Sequence, residues 1–224
     1  MLKRTYWLAA TVALISIALT AACGSGSSSE KDKSAGNTAT AQDKQTIAEV
    51  KEAFLNLAAA KTFKIAIVAQ VRPPTGMITN SIFTYDFVPP DKYQLYTGPT
   101  ANITRQVGGE TFSYDRMRDQ WSVLADYSGP SFPGLSRLTD AKRMTEAANA
   151  IGTTASVSKG GTDTIEGKTC QLYVLTDGPS QNKTDMCIAD KLPLRFVYHS
   201  GDLSTTVVFS AFNTDIQIDR PKTN

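Results

Sequence analysis

The side chains in this sequence that could do chemistry are few: three cysteines, one histidine, and some serines, lysines and carboxylates in suggestive positions. Ser156-Val-Ser-Lys159 spells S-x-x-K, a pattern found at serine nucleophiles. It sits in a predicted strand, however, and short patterns of this kind often arise by chance. No G-x-S-x-G stretch occurs. The single histidine, His199, shares a predicted strand face with Arg195, which reads as a surface or rim position rather than a general base. Asp86, Asp91 and Asp115 are scattered over turns and strand ends with no paired geometry. Phosphate-binding loops, dinucleotide-binding glycine patterns and zinc spacings are all missing. The expectation is a protein with no catalytic residue, no metal and no cofactor, which leaves the chemistry of sulfur.

Cys23 lies at the end of Leu19-Thr20-Ala21-Ala22-Cys23-Gly24. Before it come Lys3 and Arg4, then an uncharged run from Tyr6 to Ala22. That is the charged start, apolar middle and small-residue end of a secretory signal peptide. The cleavage region looks like a bacterial lipobox, whose cysteine becomes the lipidated first residue. The position three before the cysteine is Thr20, with the usual leucine one place earlier at Leu19. A plain signal peptide ending beside a cysteine, or an uncleaved anchor, are the alternatives. Lipidation of Cys23 has the further merit of resolving an odd cysteine count in an exported chain.

Cys170 and Cys187 are then free to pair in an oxidising compartment. Both lie in segments that read as strands, with Asp177-Gly178-Pro179-Ser180 as the turn between them. A hairpin pivoting between Gly178 and Pro179 places the two cysteines directly opposite. There Cα atoms lie about 4.5–5.5 Å apart, within disulfide range. Two cysteines and one histidine make a poor metal set by comparison.

The elements that must carry these residues follow from composition and period. Residues 1–22 are the signal peptide, and without Lys3 and Arg4 the chain holds 21 basic against 21 acidic residues. A charge near zero argues against nucleic acid as a partner and against a purely electrostatic grip on anionic membranes. Residues 23–43 carry no apolar side chain larger than alanine after Cys23 and read as a flexible tether reaching about 20–30 Å. The folded domain is expected over 44–215, with 216–224 as a C-terminal tail. Lys44–Ala60 has apolar residues at Ile47, Val50, Phe54 and Leu57, the spacing of an amphipathic helix. A second helix is expected over Leu135–Ile151, with Leu138, Ala141, Met144, Ala148 and Ile151 at helical spacing and Gly152 as its cap.

Strands fill the rest: Phe63–Arg72, Met77–Val88, Lys92–Tyr96, Asn102–Val107, Glu110–Tyr114, Gln120–Leu124, Thr154–Lys159, the two cysteine strands, Pro193–His199 and Ser204–Phe212. Gly108-Gly109 marks a hairpin. In the strand near residue 195, Leu192, Leu194, Phe196 and Tyr198 alternate onto one face. About eleven strands at roughly 4.8 Å make a sheet about 50 Å wide. Two helices about 10 Å across cannot hide it, so the sheet must curl, either closing on its own side chains or leaving a trough.

One family brings these pieces together. The stretches Phe87-Val-Pro-Pro-Asp-Lys-Tyr93, Val107-Gly-Gly, Phe112-Ser-Tyr114, Trp121, Gly167-Lys-Thr-Cys-Gln-Leu-Tyr173 and Leu192-Pro-Leu-Arg-Phe196 follow an initial helix in this order. Over about residues 44–213 the chain resembles the LolA-like superfamily, especially its lipid-anchored members. The resemblance implies an α+β fold: a curved antiparallel half-barrel of about eleven strands with two helices over the concave face. It also implies an apolar cavity for acyl chains, and either carriage of lipid or lipoprotein across the envelope or sensing on the same scaffold. The arginine with which some soluble carriers latch helices to barrel has no counterpart here.

The expected function is therefore an extracytoplasmic, membrane-anchored lipoprotein, not an enzyme, binding a lipid or acylated ligand for transport across the cell envelope. Its partners would be the membrane, through the lipid on Cys23, and a membrane donor or acceptor protein. Expected lining residues are Phe63, Ile65, Ile67, Phe83, Tyr85, Phe87, Tyr93, Leu95, Leu194 and Phe196, with Leu135–Ile151 and its preceding loop as a lid. A regulatory module or a structural lipoprotein with a sealed core are the competing readings.

Overall fold

The computed structural model describes residues 41–71, 79–97, 102–125, 140–177, 182–200 and 203–223. The signal peptide, Cys23 and nearly all of the tether lie outside these residues, as do the loop at 127–134 and the first residues of the expected second helix. None of the described helices is long and apolar enough to cross a membrane.

Helix α1 spans Ala41–Ala58, starting three residues before the expected one. Val50, Ala53 and Leu57 on its inner stripe are buried, and Ile47 and Phe54 pack beside them. Helix α2 spans Ala141–Ala150 and buries Met144 and Ala148. Its start is set by Asp140, whose carboxylate accepts the N–H groups of Lys142 and Arg143 at 2.9 and 3.3 Å, satisfying donors the helix itself cannot. Past its end Gly152 adopts φ +79°, the left-handed conformation that glycine takes without steric penalty.

Eleven strands follow in chain order: β1 (Phe63–Val71), β2 (Thr79–Val88), β3 (Lys92–Thr97), β4 (Asn102–Val107), β5 (Glu110–Asp115), β6 (Gln120–Val123), β7 (Ala155–Ile165), β8 (Lys168–Asp177), β9 (Lys183–Ala189), β10 (Leu192–Ser200) and β11 (Leu203–Ser210). They form one antiparallel sheet, ordered β6-β5-β4-β3-β2-β1-β11-β10-β9-β8-β7. The outer strands β6 and β7 do not pair with each other, so the sheet is an open, curved half-barrel rather than a closed barrel. Both helices pack on one face, where α1 and α2 join a single apolar cluster with residues of β1–β3 and β8–β11.

Strand β7 runs six residues beyond the expected Lys159, through Gly160-Gly161 to Ile165. A bulge between Lys159 and Thr162 absorbs the two glycines, which is how a strand tolerates residues with no side chain to pack. The cysteine hairpin also differs in register. Leu175 pairs with Thr184 and Leu172 with Cys187, so the hairpin is centred one residue later than expected. Cys170 and Cys187 are thus diagonal rather than opposite, on the same face, with Cα atoms 5.4 Å apart, and they form the expected disulfide.

After β11 the chain turns under the sheet. Asn213 N–H donates to Thr62 O at 2.8 Å, and Thr62 Oγ1 donates to Thr214 O at 2.6 Å. Ile218 is buried, Arg105 Nη1 donates to Asp219 O at 2.8 Å, and Arg220 bridges to Glu110 at 2.9 Å. Thr223 finally pairs with Trp121 of β6. The tail is a strap across the outer face of β4–β6.

Candidate ligand-binding face

Directly opposed residues of antiparallel strands share a face, so the register dictates what the helix-covered inner face presents. Three rows cross β1, β2 and β3: Phe63–Phe87–Tyr93, Ile65–Tyr85–Leu95 and Ile67–Phe83–Thr97. On the other side Ile65 faces Phe209, and Ile67 faces Val207, which faces Phe196. Phe63 stacks on Phe87 with centroids 5.4 Å apart, Tyr85 on Phe87 at 5.6 Å, and Phe196 meets Phe209 edge-on at 5.1 Å. Phe54 of α1 stacks on Phe196 at 5.6 Å. Phe63, Ile65, Ile67, Tyr85, Phe87, Leu95 and Phe196 belong to this buried cluster, and Phe83 and Tyr93 pack against it half-buried. Nine of the ten residues singled out from the sequence therefore lie together.

Leu194 does not. Strand β10 carries a bulge between Pro193 and Arg195, and one extra residue reverses which face the preceding side chains use. Leu194 consequently packs with Cys170 and Cys187 in a separate small cluster. The sequence alternation Leu192, Leu194, Phe196 hides this break.

Beyond β3 the two faces exchange character. On the inner side Tyr93 faces Gln106, Leu95 faces Thr104, and the rows continue to Thr111, Ser113 and Ser122. Hydroxyls and amides thus replace rings and branched chains. The apolar residues of this wing point outward: Phe112 is fully buried, and Arg220 of the tail lies over its ring at 5.7 Å. Arg105, also outward, stacks on Trp121 at 4.7 Å and donates to Gln94 Oε1 at 2.8 Å. Burial holds its guanidinium below the ordinary arginine range. Lys64 pairs with Asp86 at 2.9 Å on the same outer face, and Asp86 accepts from the Tyr96 hydroxyl at 3.3 Å. Loss of solvent, then the Asp86 charge, raise the Tyr96 phenol.

The helix is fixed by contacts that the sequence reading lacked. Glu49 of α1 accepts from the Tyr173 hydroxyl at 2.7 Å and from Lys159 Nζ at 2.9 Å, while Gln45 donates to its other oxygen at 3.0 Å. These partners, Tyr173 first and Lys159 next, lower the Glu49 carboxyl. Burial, then Glu49 itself, push the Tyr173 phenol upward. One turn further on, Glu52 pairs with Lys191 at 2.8 Å and Asn56 donates to Lys191 O at 2.9 Å. Helix α1 is thus held to the sheet by a glutamate on the helix, with a lysine and a tyrosine on the sheet. The signal was present as Glu49, Glu52 and Asn56 at spacings of three and four, which places them along one side of the helix.

The chemical candidates fall apart on geometry. Ser156 faces Thr176 while Lys159 faces Tyr173, and residues three apart in a strand point to opposite faces. Lys159 is engaged with Glu49. His199 is exposed, 3.9 Å from Asp185. On the inner face, the buried Thr205 hydroxyl has no hydrogen-bond partner among the described residues.

The chain is thus an open half-barrel with both helices packed on one face, a fold it shares with solved lipoproteins. No family profile matches the chain, and no curated protein matches it. Among solved structures it is similar to the lipoprotein LppX of Mycobacterium tuberculosis, at 17% identity over 79% of this chain and 100% of that one, with a TM-score of 0.54. It is also similar to LprF of Mycobacterium bovis, at 9% identity over 80% of this chain and 97% of that one, with a TM-score of 0.55. A LolA superfamily protein of Nitrosomonas europaea overlaps 79% of this chain and 94% of its own at 7% identity, with a TM-score of 0.37.

Proposed function

We propose that this protein is an extracytoplasmic lipoprotein, anchored through Cys23, that carries a lipid or acylated molecule across the cell envelope in the trough of its half-barrel. The observation behind this reading is the continuous apolar inner face that runs over seven strands of a sheet whose edges stay apart. Each methylene moved from water onto such a face is worth ~0.8 kcal/mol, so acyl chains are held by burial alone and no catalytic group is required. The residues proposed as lining are those of the three rows through Phe63, Ile65 and Ile67, with Phe196 across from them.

Helix α1 is the fixed wall, tied through Glu49, Glu52 and Asn56. Helix α2 is the yielding one. Its ion pair, Arg143 with Asp140 at 3.5 Å, is internal, and its inner residues Met144 and Ala148 are apolar. Apolar contacts slide where directional ion pairs do not, so ligand enters by displacement of α2.

The test is native mass spectrometry of the chain extracted from envelope membranes in mild detergent. A discrete lipid adduct is expected, and Phe83→Glu, which puts a charge on the half-buried end of the inner face, should remove it while Lys92→Glu on the outer face should not. A folded chain that never carries an adduct would sink the carrier reading.

A further inference from the structure

The most exposed large apolar side chain among the described residues belongs neither to the trough nor to the core. Met117, in the turn between β5 and β6, is 99% exposed, against 44–58% for Leu55, Val123 and Ile82. It is flanked by Arg116 and Arg118. The turn holds this triplet outward by spending its carboxylates on itself. Asp115 Oδ1 accepts the N–H groups of Met117 and Arg118 at 2.9 and 3.2 Å. Asp119 accepts the Tyr114 hydroxyl and sits at φ 52°. The Arg118 head is only loosely tied to Asp115, at 3.7 Å, and its side chain is 79% exposed. Directly behind the tip, Tyr114 and Trp121 pack at 5.2 Å between centroids.

An apolar point ringed by cations and backed by a tyrosine–tryptophan pair is the side-chain order of a bilayer interface, from acyl boundary to headgroup. The topology adds a second, independent observation. Ile47 near the start of α1 lies against Gly152 at the head of β7, whereas Asn56 near its end lies against the β9–β10 turn. The helix therefore starts at the end of the sheet where β5 runs into β6 and finishes at the end holding the β9–β10 turn. The chain preceding α1, with Cys23 in it, joins the domain at the same end as Met117.

We infer that the β5–β6 turn is a membrane-contacting tip. It seats Met117 at the acyl boundary of a phospholipid bilayer and sets Arg116 and Arg118 against anionic headgroups, while the tether leaves from the same end. The tip gives the domain a defined approach to the surface, which a tether alone does not.

Of the two tryptophans in the sequence, Trp7 leaves with the signal peptide, so in the mature chain anchored through Cys23 Trp121 is the sole reporter, about 10 Å behind the tip at ~3.3 Å per residue. The mature chain, lipidated at Cys23, is reconstituted in phosphatidylcholine–phosphatidylglycerol vesicles carrying a nitroxide-headgroup lipid. Trp121 emission should be quenched, and Met117→Asp should lower that quenching at least about threefold with an unchanged circular dichroism spectrum. Arg116→Glu with Arg118→Glu should do the same, and phosphatidylcholine alone should quench less. Failure of the nitroxide lipid to quench the anchored chain, or quenching that Met117→Asp leaves intact, overturns the inference. So does photocrosslinking from position 117 to an envelope protein instead of lipid. None of these readouts depends on cargo, so they stand or fall separately from the carrier reading.

Discussion

Replacing Glu49 with alanine should loosen α1 from the sheet by an amount the local geometry sets. The carboxylate receives a hydrogen bond from Tyr173 at 2.7 Å and an ion pair from Lys159 at 2.9 Å, and its side chain is 30% exposed. A hydrogen bond to a charged acceptor is worth roughly 1.5–3 kcal/mol. The lysine, 35% exposed, adds no more than about 0.5 kcal/mol once solvent screening is counted. The expected loss is about 2–3 kcal/mol, which at roughly 2–4 °C per kcal/mol for a domain of this size lowers Tm by about 4–12 °C.

The pH dependence carries its own sign. The Glu49 carboxyl is held below its ordinary value by Tyr173 and then Lys159. Its contribution is therefore complete above the unfolded value of about 4.3 and fades as pH falls through the lower folded value. Wild type and Glu49→Ala should differ most near neutrality and converge in acid. Thermal melts across pH 3–7 read this directly, and a cycle with Tyr173→Phe should return a coupling of about 1–2 kcal/mol. A Tm unchanged within a degree at pH 7, or a difference that persists unaltered to pH 3, would refute the latch.

Removing the disulfide by Cys170→Ser with Cys187→Ser, which opens a link across 17 residues, should cost about 3 kcal/mol in urea unfolding, less where the small cluster with Leu194 repacks. Gly152→Ala forces a side chain into φ +79° with its Cβ 3.0 Å from Ile47, so a loss of about 1–3 kcal/mol is expected by the same measurement. Ile218→Ala, in the buried part of the strap, should cost about 2–3 kcal/mol. It should raise amide exchange in β4–β6 more than in β8–β10.

Where residues announce their own backbone, the sequence was legible. Gly108-Gly109 joins β4 to β5 with both residues at positive φ, the amphipathic period of α1 buries Val50 and Leu57, and Gly152 takes positive φ just past α2, although the closing bonds to Ala150 O come from Thr153 and Thr154 rather than from the glycine. The cysteines could be paired because strands, not exact register, bring them within reach, and a pivot one residue later still left them on one face. Two kinds of feature stayed hidden. One is the bulge, at Leu194 and at Gly160-Gly161, where a period of two gives no warning that it resets. The other is the contact between parts distant in sequence. Nothing in Glu49 foretells Lys159 and Tyr173, and nothing in Arg220 foretells Phe112 and Glu110. The tail, polar along most of its length, gave no signal that it would be load on the outer face rather than an end.

The reversal of faces at β4 has a consequence for how such a protein can change. The outer wing draws its cohesion from behind, where the strap, Arg105 and Trp121 bind it. Thr104, Gln106 and Ser113 on its front are consequently spared from supporting the architecture. On the carrier reading proposed above, that panel can be rewritten, one hydroxyl or amide at a time, to suit a different passenger while the scaffold holds its shape.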